Sequence, residues 1–222
     1  MTETPVEAGP AAEERPGASQ EGLTRGYRRI MAILRAWSVL LWPLRVEGAE
    51  HLPDVGGGLI VANHSSVYDI TGIALATLPR HASFVARRSL SDSRFLERVL
   101  ETSEAILIEP GASDRAALRL MVERLRAGRL VAIFPEGTRS PDGTLHPFKG
   151  GALLAARMAG VPLIPCGVEG AYEAWPRHRR WPRRGPVTVR FGPPLEPDRE
   201  DLGEALEASV ASLARIERAP RP

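Results

Sequence analysis

From residue 44 onward, short apolar runs alternate with longer stretches whose apolar residues recur every three or four positions. The short runs predict strands over 44–48, 57–63, 82–87, 105–109, 130–135, 161–168 and 187–192. The periodic stretches predict helices over 68–78, 92–101, 114–127, 150–159 and 199–216. The helix over 114–127 is the clearest. Ser113 is placed to cap it, Leu118, Met121, Val122 and Leu125 form its apolar stripe, and Gly128 ends it. Strands interleaved with helices imply a single α/β layered domain over 45–216, with a frayed tail at 217–222. No internal repeat is visible.

The pattern differs upstream. Residues 23–44 read as one amphipathic helix, with Arg25, Arg28 and Arg29 at one end and Trp37 and Trp42 in the body. Its apolar part runs for about 15 residues and is broken by Arg35. That falls short of the ~20 residues a spanning helix needs. Basic and aromatic residues so distributed suit a helix lying in a membrane interface. An amphipathic helix packed on the domain, or a shallow re-entrant hairpin ending at Pro43, stays open. Residues 1–22 are rich in Pro, Ala, Gly and Glu and read as a disordered acidic segment without a secretory signal pattern.

Composition changes this picture little. A chain of 222 residues with 43% hydrophobic residues suits one domain with a sizeable core. Its one cysteine, Cys166, excludes an internal disulfide and falls in an apolar run, where it reads as a small core residue. The five His are scattered without metal-ligand spacing, so no metal or other cofactor is expected. The net charge of +2 hides an asymmetry: residues 1–22 carry −4 and the remainder +6, which favours anionic partners. Arg and Trp concentrate in Trp175-Pro-Arg-His-Arg-Arg-Trp-Pro-Arg-Arg184. No nucleic-acid-binding signature accompanies them, so an acidic membrane surface suits this loop better than nucleic acid does.

Two strand ends carry candidate chemistry. The run Gly58-Leu-Ile-Val-Ala62 leads into Asn63-His64-Ser-Ser-Val-Tyr-Asp69. His exchanges a proton near neutral pH, and an Asp on its other ring nitrogen fixes tautomer and orientation. On a continuous helix these two positions would lie about 140° apart around the axis. They meet only if His64 sits in a strand-to-helix loop and Asp69 in the first helical turn, with Ser65 or Ser66 as cap. The second strand end is Phe134-Pro-Glu-Gly-Thr-Arg-Ser140. Gly137 permits close approach of backbone amides to a ligand, and Thr138 and Arg139 are suitable phosphate donors. Glu136 would repel a phosphate; accepting from a hydroxyl or bracing Arg139 are the roles open to it. Lys149 is the only lysine beside 28 arginines and stands in Pro147-Phe-Lys-Gly-Gly151. A point charge suits an anion that a guanidinium would not fit; an exposed loop lysine is the alternative.

Taken in order, these stretches resemble the glycerolipid acyltransferase family that includes 1-acylglycerol-3-phosphate acyltransferases. The family's N-H-x4-D block matches Asn63-His64 to Asp69, and its F-P-E-G-T-R-S block matches Phe134 to Ser140. Its V-P-x-x-P block matches Val161-Pro-Leu-Ile-Pro165, and its F-K-x-G pattern matches Phe148 to Gly151. The resemblance covers about residues 45–195. The remaining block, G-x-x-x-x-[D/E]-R, departs: Glu104 stands where the family has Gly, and Pro110 where it has Arg. That Arg helps hold the acceptor phosphate in the family; Arg87, Arg88 and Arg115 are candidate substitutes here.

The resemblance implies an α/β fold with a mixed, largely parallel sheet of about seven strands flanked by helices. It implies an O-acyltransferase of phospholipid biosynthesis. An acyl group would pass from acyl-CoA or acyl-ACP to the hydroxyl of a lysophospholipid such as 1-acyl-glycerol-3-phosphate, without a covalent intermediate. His64 would be the general base, oriented by Asp69. Glu136, Gly137, Thr138, Arg139 and Lys149 would bind substrate, with Lys149 facing the acceptor phosphate or the thioester. Attachment would be peripheral or monotopic, through residues 25–44 and Trp175–Arg184, on the cytoplasmic face of the cell membrane. An acyltransferase or transacylase for another lyso-lipid, favoured by Pro110, and a non-catalytic lipid-binding relative are the alternatives.

Overall fold

A computed structural model describes residues 25–87, 104–108 and 115–220. The acidic segment 1–22, the helix expected over 92–101, Arg88, and Glu109 and Pro110 of the departing block lie outside the described residues.

The strands are β1 (Leu44–Glu47), β2 (Gly58–Ala62), β3 (Ala82–Arg87), β4 (Ile106–Ile108), β5 (Leu130–Ile133), β6 (Leu163–Glu169) and β7 (Val187–Phe191). They form one seven-stranded sheet in the order β1-β7-β6-β2-β5-β3-β4. All neighbours are parallel except β6 and β7, which run antiparallel. The helices are α1 (Arg25–Leu41), α2 (Val67–Ala76), α3 (Arg115–Arg126), α4 (Gly151–Ala159), α5 (Ala171–Ala174) and α6 (Leu202–Ala214). Within the described residues the strands and helices are those expected, apart from the four-residue α5.

Helices cover both faces of the sheet, so its central strands are apolar on both sides. Every residue of β2 is buried. Ile60 and Ala62 point into one core with Tyr27 and Met31 of α1 and Ile73 of α2. Leu59 and Val61 point into the other, with Met121 and Leu125 of α3, Ala155 of α4 and Leu206 of α6. Cys166 on β6 is fully buried, and burial pushes its thiol pKa up, which leaves it inert. Helix α1 is anchored by Tyr27, Met31 and Ser38, while Ile33, Val39 and Leu40 stand exposed on it. No helix among the described residues is long and apolar enough to cross a membrane.

Arg80 ties together the loops that lead into the central strands. Its guanidinium donates to the carbonyls of Pro53 (2.5 Å), Gly56 (2.7 Å) and Gly128 (2.7 Å). Those loops enter β2 and β5 at the edge opposite His64. Arg80→Met is expected to lower unfolding free energy by about 2 kcal/mol, because three carbonyls lose a charged donor. Arg80→Lys should recover little of it, since an ammonium lacks the fork. Urea titration of both variants measures this.

Candidate active site

The two motif stretches meet because β2 and β5 are parallel neighbours, with Val61 opposite Ile133. Both strands therefore release their next residues at the same edge of the sheet. Asn63 secures that edge to β6. Its amide donates to the Val168 carbonyl (3.0 Å) and accepts from the Val168 N–H (2.8 Å).

The chain then turns. Ser66 is extended and caps α2: its hydroxyl accepts from the Tyr68 N–H and donates to the Trp175 carbonyl (2.8 Å). Asp69 completes the capping box from the first helical turn. Its Oδ2 accepts from the Ser65 N–H (2.6 Å), the Ser66 N–H (2.7 Å) and His64 Nδ1 (2.9 Å). A buried carboxylate that accepts here places the ring proton on Nδ1. Nε2 is then the basic nitrogen, and among the described residues it has no hydrogen-bond partner. The His64 side chain is 15% exposed and that of Asp69 is 0% exposed, so the pair opens to solvent only through the imidazole. The helical-turn argument thus holds: His64 lies in the loop and Asp69 in the first turn.

One face of the imidazole is covered by Phe134, with ring centroids 4.1 Å apart and planes at 19°. The sequence showed Phe134 only as the end of a strand. Its contact with His64 depends on the β2–β5 pairing, which no local pattern reveals.

Glu136 is turned toward backbone amides. It is 6% exposed, and its oxygens accept from the backbone N–H groups of His64 (2.7 Å) and His146 (3.1 Å). Arg139 is not among its hydrogen-bond partners. Burial raises its pKa to about 7 against the lowering effect of those two amides, with Asp69 and Asp142 adding to the rise.

Gly137, Thr138 and Arg139 form the turn that follows. Thr138 is exposed and Arg139 half-buried, and among the described residues neither side chain has a hydrogen-bond or ion-pair partner. The Lys149 N–H donates to the Pro135 carbonyl (3.1 Å), which brings that lysine to the same turn. Gly137 has φ +74°, and a Cβ built there would lie 2.6 Å from Lys149 Nζ. The ammonium therefore rests over the glycine. Gly137→Ala is expected to displace Lys149 and strain the turn, raising acceptor KM about tenfold with a smaller change in kcat. Steady-state kinetics at varied acceptor concentration check this.

The departing block is partly visible. Glu104 has φ +49°, in the region that favours glycine, which is the residue of the family pattern at that place. Its carboxylate pairs with Arg124 (2.5 Å). Arg115 is exposed at the start of α3. Among the described residues no group of three His, Cys, Asp or Glu is placed to hold a metal ion.

The comparisons agree with this geometry. The family model described as Acyltransferase matches residues 43–169. The 1-acyl-sn-glycerol-3-phosphate acyltransferase of Bacillus subtilis (strain 168) is 25% identical over 181 residues, covering 78% of this chain and 88% of that protein. The alpha form from Mus musculus is 31% identical over 183 residues, covering 75% of this chain but 60% of its own length. The crystal structure of the 1-acyl-sn-glycerophosphate (LPA) acyltransferase PlsC from Thermotoga maritima superposes with a TM-score of 0.75 at 28% identity, covering 86% of this chain and 80% of that one. With the blocks of His64 and of Phe134 to Ser140 brought together at one sheet edge and the family model spanning residues 43–169, the chain belongs to the glycerolipid acyltransferase family.

Proposed function

We propose that the protein transfers a fatty acyl group from an acyl thioester to the free hydroxyl of a lysophospholipid of the 1-acyl-glycerol-3-phosphate type. The observation that carries this is His64, fixed at Nδ1 by Asp69 and bonded through its backbone to the Phe134–Ser140 stretch, whose Gly137 turn also meets Lys149. Nε2 takes the hydroxyl proton as the oxygen attacks the thioester carbonyl. A C–O bond forms, the tetrahedral intermediate collapses, the C–S bond breaks, and the imidazolium returns its proton to the leaving thiolate. Asp69 stabilises the imidazolium. Arg139, Thr138 and Lys149, set around the Gly137 turn, hold the acceptor phosphate. Direct transfer is supported by the burial of the nearby nucleophiles: Cys166, Ser65 and Ser66 are 0%, 5% and 0% exposed. The names of the relatives support a lysophosphatidate acceptor. Pro110 favours a different lyso-lipid as the second reading.

The protein acts at a membrane surface, peripherally or monotopically, on the cytoplasmic face. Ile33, Val39 and Leu40 on α1, and Trp181 beneath the Arg180 guanidinium, support this as exposed apolar and cationic groups. Tyr68, in the first turn of α2, stacks on Trp42 (4.0 Å) and meets the edge of Trp175 (5.5 Å), so both surface segments adjoin the catalytic turn.

The test is product analysis by mass spectrometry. Palmitoyl-CoA and palmitoyl acyl carrier protein are each offered with lysophosphatidate, lysophosphatidylcholine, lysophosphatidylethanolamine and glycerol 3-phosphate. Phosphatidate as the dominant product supports the reading. Diacyl product from lysophosphatidylcholine or lysophosphatidylethanolamine but not from lysophosphatidate overturns it in favour of the second.

A further inference from the structure

Glu136 is a buried carboxylate with no ion-pair partner among the described residues. Removing a charge from water is costly, so such a group is retained where its hydrogen bonds do something an apolar residue could not. We propose that Glu136 is a positioning residue for His64, acting by clamping the catalytic loop to the loop that carries Lys149, and is not a ligand of the acceptor.

Four hydrogen bonds support this. Glu136 Oε1 accepts from the His64 N–H at 2.7 Å, and the Ser140 N–H donates to the His64 carbonyl at 2.7 Å. The backbone of His64 is thus held on both sides by the Phe134–Ser140 stretch, while Asp69 and Phe134 fix its ring. Oε2 accepts from the His146 N–H at 3.1 Å, three residues before Lys149, whose own N–H reaches Pro135. A single side chain thus bonds both the loop of the base and the loop that leads to Lys149. Neither near-substitute reproduces it. Glutamine offers one acceptor and one amide donor, so one backbone N–H faces another donor. Aspartate is one methylene too short to reach both loops.

The inference rests on His64 being the base of the acyl transfer, so its test has an arm that needs no turnover. The groups facing the carboxylate are His64, Asp69, Asp142 and His146 on their respective loops. In wild type, the amide proton resonances of His64 and His146 should titrate together with a common midpoint near the Glu136 pKa of about 7. In Glu136→Gln that shared transition should vanish. Independent midpoints in wild type, or an unchanged shared one in the variant, overturn the clamp whether or not acyl transfer is found. The kinetic arm separates positioning from acceptor binding. Glu136→Gln and Glu136→Asp should lower kcat by about 10²-fold, the effect of misplacing a base by an ångström, with acceptor KM changed less than about threefold. A large rise in acceptor KM with kcat preserved would show a substrate ligand instead. The wild-type titration stands even if a variant fails to fold.

Discussion

His64→Ala is expected to lower kcat for acyl transfer by about 10³-fold or more and to leave the fold intact. The activity loss follows from Nε2 being the basic nitrogen at the mouth of the site, while the neighbouring carboxylates of Asp69 and Glu136 are buried and committed to backbone donors. Stability survives because of how Asp69 is held. Its Oδ2 keeps the Ser65 and Ser66 N–H donors when the imidazole is removed, so no buried carboxylate is stranded. What is lost is a partly exposed ring stacked on Phe134. Acceptor KM should change little, since the phosphate donors lie on another turn. Single-turnover thiol release and a thermal melt on the same preparation measure both quantities.

Asp69→Ala is expected to produce the second large effect, on activity and stability together. Three donors lose their common acceptor, and the capping box of α2 is broken. A lost cap and buried unsatisfied N–H groups cost about 3 kcal/mol together. Without its orienting carboxylate the imidazole also loses its tautomer and counter-charge, an effect of about 10³–10⁴-fold in kcat. Asp69→Asn separates the two roles. An amide oxygen at the Oδ2 position can accept the same three donors, so most of the stability returns. The imidazolium remains without a negative partner, so activity stays well below wild type. Urea denaturation alongside kcat for the Ala and Asn variants distinguishes loss of structure from loss of charge.

Much of this arrangement was legible in the chain. Buried strands such as Gly58–Ala62 read as continuous apolar runs because helices cover both faces of the sheet. The geometry of His64 and Asp69 followed from helical angles and from two serines suited to a cap. The role of Glu136 was not legible. Its partners are backbone amides brought within reach by the β2–β5 register and by a loop ten residues downstream, and amides leave no mark on side-chain sequence. The same pairing brings Phe134 onto His64. Strand order was equally hidden: periodicity marks β1 and β7 as strands but does not say that β7 runs against β6 or that β1 lies at the edge. The four residues of α5 are too few for a period to register. Glu104 in place of glycine reads from sequence as a departure in the acceptor block. The structure adds that the position has positive φ and that the carboxylate pairs with Arg124.

The most direct measurement is thiol release from palmitoyl-CoA by the wild-type protein, with and without lysophosphatidate. The account predicts release that depends on lysophosphatidate, with one phosphatidate formed per thiol. Release at the same rate without acceptor, or no release with lysophosphatidate where another lyso-lipid supports it, would contradict the proposed reaction.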